Sequence, residues 1–225
     1  MSVFFYGFFI LFARFIIYSF IGWILEVFIA FVKHGKFINR GFFIGPYVPI
    51  YGLCAIILVW LFKGETNPIY IFVFSSLIAS IIEYLTSVIM EKLFKARWWD
   101  YSNYPFNING RVYLINSIAF GTLGCILIEF VNPRLTFFLS HLDPFWFSVV
   151  TCIVLFIFIL DVVVSFNIIH KIKTTAECVH KDYTEEITKK VKKILYDKSK
   201  QFRRIFDAFP DVSVFNKTFK SKKKK

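Results

Sequence analysis

Between residues 4 and 32 the sequence carries only two charged side chains, Arg14 and Glu26, in a run of Phe, Ile, Leu and Val. Few soluble folds can accommodate such a run. As a helix rising 1.5 Å per residue, about twenty apolar residues cross the roughly 30 Å of a hydrocarbon core. Lipid offers the backbone no hydrogen-bond partner, so a segment of this kind must satisfy its own N–H and C=O groups as helix. Four further stretches, 46–62, 68–91, 112–131 and 145–169, read the same way. The first run is too long for a signal-peptide core and no small-residue cleavage site follows it, so it is expected to be retained. Composition agrees: the chain is 57% hydrophobic with a mean hydropathy of +0.61, against about 45–50% apolar residues in a soluble domain. The expected fold class is all-α, a polytopic membrane protein with about five transmembrane helices.

Charge divides the chain in two. Residues 170–225 hold 17 Lys/Arg against 7 Asp/Glu, and the preceding 169 residues hold 10 against 8. The expected organisation is therefore a transmembrane helical domain, 1–169, and a basic helical tail, 170–225. In the tail, Ile172, Ala176, Val179, Tyr183, Ile187, Val191, Ile194, Ile205 and Phe209 recur mostly at helical spacing with Lys on the other faces, the pattern of an amphipathic helix. Such a stripe could lie on an anionic leaflet, pack on a partner or form a coiled coil. The loops set the orientation. Loop 33–45 carries Lys33, Lys36 and Arg40, and loop 92–111 carries Lys92, Lys95, Arg97 and Arg111. Loops 63–67 and 132–144 hold one basic residue each. The positive-inside rule then places the two basic loops and the tail in the cytoplasm and the N-terminus outside. In the outer loop, RLTFFLSHL between Pro133 and Pro144 is expected to form a short helix lying on the surface, because each X-Pro disfavours helix just before it. The tail's basic charge is tethered to a membrane, which argues for lipid and against nucleic acid as its partner.

An ionisable side chain inside a membrane costs at least about 2.5 kcal/mol and marks a special position. By helix rise, Glu26 lies about 10 Å above Lys33, and Glu83 and Asp161 lie about 13 Å above Lys92 and His170. Glu91 stands at the inner rim. Ser76, Ser80, Glu83, Ser87 and Glu91 step by three or four residues and form one polar stripe that should face other helices. Arg40, Arg97 and Arg111 in the inner loops are available to neutralise these acids. The stretch RWWDYSNYPFNINGR (97–111) adds Asp100 and Asn107, five aromatics suited to a membrane interface, and turn formers at Pro105 and Gly110. The expected polar cluster is Glu26, Arg40, Glu83, Glu91, Arg97, Asp100, Asn107, Arg111 and Asp161. It reads either as a structural ion-pair network or as a site for an ion, a proton or an anionic headgroup, since Arg suits phosphate and paired Glu suits cations or proton transfer. Whether it takes a metal is left open. The four cysteines show no metal-ligand spacing and read as apolar filler.

Four stretches in order, IGWILEV (21–27), NRGFFIGPYVPIYG (39–52), EYLTSVIMEKLF (83–94) and RWWDYSNYPFNINGR (97–111), resemble one bacterial membrane family, the CmpB-like ABC-transporter type IV permeases. The resemblance covers roughly residues 15–165. The matching positions include Gly22, Glu26, Asn39, Arg40, Gly41, Gly45, Pro46, Glu83, Glu91, Arg97, Asp100, Asn107, Gly110 and Arg111. It implies a small multi-pass protein of the bacterial inner membrane and a permease subunit of a transporter, and it supplies no catalytic residues.

The sequence has no G-x-x-x-x-G-K-[ST], so ATP hydrolysis by a P-loop would need a separate ATPase subunit. Five crossings would also need a homo-oligomer to enclose a pathway. The first functional reading is a permease subunit with buried carboxylates in its pathway. The second is a non-catalytic membrane scaffold or regulator. The third is an intramembrane enzyme acting on a lipid headgroup, but HExxH and G-x-S-x-G are absent and the four histidines are scattered. No catalytic residue and no cofactor is assigned.

Overall fold

Apolar runs bounded by prolines and polar caps become helices whose starts can be read residue by residue. A computed structural model describes residues 3–178, 184–196 and 198–215. The first helix, α1, is Val3–His34. A shorter α2 spans Pro49–Leu61, and α3 spans Pro68–Phe94. Next come α4 (Leu114–Ile126), a π-helical turn (Leu127–Val131) and α5 (Asn132–Ser140), which together form one continuous rod. Then follow α6 (Pro144–Glu177), α7 (Thr184–Leu195) and α8 (Lys200–Ala208). Proline occupies the first turn of α2, α3 and α6, where its missing N–H costs nothing. The side chains of Asn67 and Asp143 cap α3 and α6 by accepting from the first free amides.

Among the described residues, four helical segments are long and apolar enough to cross a membrane: α1, α3, the α4–α5 rod and α6. The fold is all-α and polytopic. The second apolar run departs from expectation. Its helix has 13 residues, about 20 Å by helix rise, and the chain before it is not helical. From Gly35 the backbone doubles back along α1: the Trp23 indole donates to Asn39 Oδ1 at 2.7 Å, and Val48 N–H donates to Ser19 O at 3.0 Å. Ser19 precedes His34 by fifteen residues, or about 22 Å of helix. A non-helical segment and a short helix thus make the second pass together.

A second departure concerns RLTFFLSHL. It does not lie across the end of the bundle as a separate surface helix but continues α4. A proline inside a helix meets the carbonyl four residues back. Here the π turn just before Pro133 widens the backbone, with Asn132 N–H bonding to Leu127 O. Beyond it Arg134 Nη1 donates to Phe130 O at 3.0 Å.

Close approach of small residues holds the helix pairs. On α4, a Cβ added at Gly121 or Gly124 would meet Ser76 Oγ and Ser75 Oγ of α3 within van der Waals distance. One turn closer to the loop, the Ser80 and Ser117 hydroxyls bond at 2.7 Å. Between α1 and α2, Gly22 lies against Tyr51, and Gly52 against Ser19 and Phe15. With no hydrophobic drive between helices in lipid, such contacts supply the association.

The tail is part of the packing. Ile187, Val191 and Leu195 of α7 and Phe202, Ile205 and Phe206 of α8 form one buried cluster with Phe94, Ala96, Trp98, Ile168, Ile169, Ile172 and Ala176. The strand β1 (Ala96–Arg97) pairs antiparallel with β4 (Ser213–Val214). Of the apolar stripe, Ile172, Ala176, Ile187, Val191 and Ile205 are therefore spent on the chain's own core, with Phe209 packed against it, while Ile194 is exposed. Val179, Tyr183 and the terminal SKKKK lie outside the described residues. Between β1 and α4, β2 (Asn107–Ile108) and β3 (Val112–Tyr113) form a hairpin whose Asn109 and Gly110 both have positive φ, the Asn-Gly turn that suits a two-stranded ribbon.

These contacts predict that Gly124→Leu lowers stability in detergent by about 1–3 kcal/mol through overpacking. Gly7→Leu should change it little, because nothing lies within 4 Å of a Cβ at Gly7. Thermal unfolding of both variants by circular dichroism checks the contrast.

Candidate functional site

The expected single cluster is resolved by the structure into neighbouring groups, each centred on one carboxylate. At the rim of α3, Glu91 Oε2 receives Arg97 Nε at 3.2 Å and Arg111 Nη2 at 2.8 Å. Arg111 Nη1 also donates to Ser87 Oγ at 2.8 Å, and Arg97 Nη2 to Asn109 O at 3.3 Å. Asp100 lies 3.6 Å from Arg97 and otherwise caps its own loop through Ser102. Asn107 faces no acid. Its side chain bonds Ser102 O, Tyr104 O and Gly110 N–H and shapes the hairpin.

Two turns deeper, Glu83 is 7% exposed and meets no arginine. Its Oε1 accepts weakly from Asn116 at 3.3 Å and from the Tyr101 hydroxyl at 3.5 Å, and its Oε2 is buried without a hydrogen-bond partner. Burial, and then the charge of Glu83, push the Tyr101 phenol above its ordinary range, so it stays a donor. Glu26 on α1 accepts from the Tyr51 hydroxyl at 2.8 Å and pairs loosely with Arg40 at 3.7 Å. Glu26 and Glu83 lie within electrostatic reach of each other. The loop arginines thus reach Glu91, Arg40 reaches Glu26, and Glu83 is left among neutral partners.

Asp161 stands apart from these three groups. Its Oδ1 accepts Ile44 N–H at 3.0 Å and Ser165 Oγ at 2.7 Å; its Oδ2 accepts Gly45 N–H at 2.6 Å and the Tyr47 hydroxyl. This carboxylate holds the unwound segment that precedes α2. On the segment's carbonyl side, Arg204 of α8 donates Nη1 to Gly41 O at 2.9 Å and to Phe43 O at 2.8 Å. Irregular backbone at membrane depth is tolerated only where protein or a polar cavity encloses it, and these two charged side chains supply the enclosure.

Sequence reasoning missed Tyr47, Tyr51, Tyr101, Asn116, Ser165 and Arg204. Ser165 lies one helical turn beyond Asp161, and Asn116 is a polar residue in an apolar run, so both had a signal. Tyr47 and Tyr51 lie inside the NRGFFIGPYVPIYG stretch. Nothing in the pattern of the tail distinguishes Arg204 from its neighbouring cations.

Four long apolar helices, small-residue helix contacts and carboxylates turned inward define a multi-pass membrane protein. Within that class, the chain belongs to the family described as Putative ABC-transporter type IV, whose sequence model matches residues 13–166. The match takes in every group described above except Arg204. No curated protein and no solved structure matches the chain.

The geometry predicts unequal roles for the acids. Glu91→Ala removes the carboxylate shared by two largely buried guanidinium groups and should cost about 3–5 kcal/mol, with Glu91→Gln costing less. Glu26→Ala breaks a looser, partly exposed pair and should cost no more than about 1 kcal/mol of ion-pair energy, plus the orphaned Tyr51 hydroxyl. Unfolding of the purified variants in mild detergent measures the order.

Proposed function

We propose that this chain is the membrane subunit of an ABC-type transporter in a bacterial inner membrane, with its N-terminus outside and its tail in the cytoplasm. The observation that carries the reading is the broken second pass, in which a non-helical segment, residues 39–48, sits against α1 and is pinned by Asp161. Transporters use discontinuous helices at substrate and ion sites because unwound backbone offers free donors and acceptors. In this reading Asp161 and the 39–48 segment are the moving centre. Glu83 and Glu26 provide an acidic lining toward the cytoplasm, and the Glu91–Arg97–Arg111 cluster fixes the inner loop.

The sequence contains no P-loop, so ATP hydrolysis is assigned to a partner subunit. The loop 97–111, stiffened by its hairpin and by Glu91, offers that partner a rigid surface. With each chain making few passes, an enclosed pathway calls for a second copy. The scaffold reading is less well supported, because a scaffold gains nothing from the unpartnered Glu83 Oε2 or from a pass left unwound.

Two measurements test the proposal. Single cysteines at Lys36 and Ser102 should react with a membrane-impermeant maleimide only from the cytoplasmic side, and one at Thr66 only from outside. Reaction of position 102 in intact cells would reverse the orientation. Gentle purification from native membranes should yield a P-loop ATPase whose hydrolysis depends on this chain. Purification at full yield with no ATPase bound in lipid nanodiscs would leave the scaffold reading standing in its place.

A further inference from the structure

Residue 204 lies outside the stretch that the family shares, yet it holds the part of the structure on which the functional reading depends. Arg204 projects from α8, whose Phe202, Ile205 and Phe206 are buried in the core formed with the ends of α3 and α6. Its guanidinium crosses to three successive carbonyls of the unwound segment: Gly41 O and Phe43 O through Nη1, and Phe42 O through Nη2 at 3.4 Å. A guanidinium is a planar fork of N–H donors with no acceptor, and is suited to bridging several oxygens at once. Directly after these carbonyls come the Ile44 and Gly45 amides, held by Asp161. A backbone outside a helix presents both donors and acceptors, and all must be satisfied. Asp161 on α6 takes the donors, and Arg204 on α8 serves the acceptors.

The same segment carries an apolar anchor. The Phe42 ring packs on Phe94, Trp98 and Phe166, and Trp98 also packs on Phe209 just past α8. Position and charge agree as well. Burial lowers the Arg204 pKa from its ordinary value while the charge of Asp161 opposes the shift, so the two side chains feel each other across the segment. Arg204 Nε is buried without a hydrogen-bond partner. The contact is therefore less than fully satisfied, and undocking α8 would return that N–H to water.

We propose that α8 is a built-in lock on the broken second pass, with Arg204 as its positioning residue. Docked, α8 holds residues 41–43 against the ends of α3 and α6. Undocked, it frees the Gly41, Phe42 and Phe43 carbonyls and leaves Asp161 as the segment's charged anchor, so that the segment can move. The lock rests on the reading of this segment as the moving part of a transporter, and it adds that the tail governs that movement.

Hydrogen–deuterium exchange of the full chain in lipid nanodiscs tests it. Arg204→Ala should raise exchange across residues 42–47 about tenfold or more, while α3 and α7 keep their protection. Arg204→Lys, a single ammonium in place of a fork, should fall between the two. Phe206→Ala loosens α8 without touching the segment and should open residues 42–47 in parallel with α8. Unchanged exchange at 42–47 in Arg204→Ala, or opening of α8 in Phe206→Ala with 42–47 still protected, would overturn the lock. The measurement needs neither ATPase nor substrate, so its outcome is separable from that of the transporter reading.

Discussion

The carboxylate of Asp161 takes over the work that helix hydrogen bonds do everywhere else in this bundle. From Asn39 to Val48 the chain is not helical and runs beside α1. Two amides and one hydroxyl of that stretch converge on one side chain. A buried carboxylate is costly unless hydrogen-bonded, and an unwound backbone is costly unless given acceptors. Each defect removes the cost of the other. The shortness of α2, the close approach of Gly52 to Ser19 and the reach of Arg204 across the bundle all follow from where this segment is held.

Much of this was legible in the sequence, because lipid permits few alternatives. The long apolar runs gave α1, α3, α4 and α6; of the polar stripe, Ser76, Ser80 and Glu83 lie against α4, while Ser87 and Glu91 meet the loop arginines. The helical stripe in the tail gave α7 and α8. What stayed hidden was cooperative. Gly45-Pro46 stands at the start of the second run and Val48-Pro49 within it, and hydropathy averages over them. They mark the point where helix gives way, but Asp161 and Arg204, each more than a hundred residues later, make the break tolerable. Pro133 misled in the opposite sense: a π turn absorbed it and the helix went on. The stripe in the tail was visible, whereas its partner, the ends of α3 and α6, was not. Arg97 and Arg111 stood out as candidates to meet the acids, yet depth alone could not say that both would stop at Glu91 and leave Glu83 to Tyr101 and Asn116.

The acids form a gradient from paired to unpaired. Glu91 has two arginines, Glu26 one distant arginine and a tyrosine, and Glu83 only weak neutral donors and one empty oxygen. Structural ion pairs tend toward full satisfaction. The departure falls at Glu83, a buried side chain, and it is what the proposed lining rests on. The family match covers this lining and the broken pass and ends before α8.

The broken second pass can be tested by one cross-link. With the native cysteines replaced, Ser19→Cys and Val48→Cys place two thiols on residues joined by a 3.0 Å backbone hydrogen bond, and a disulfide forms between residues whose Cα atoms are about 4.4–6.8 Å apart. Oxidation in membranes should link them within one chain, as read by mass spectrometry of the joined peptides. If residues 46–62 instead formed one helix starting at the inner boundary, Val48 would sit near the level of His34, about 22 Å from Ser19 along α1. Failure of the Ser19–Val48 pair to link, with ready linkage of Val48→Cys to His34→Cys, would contradict the account.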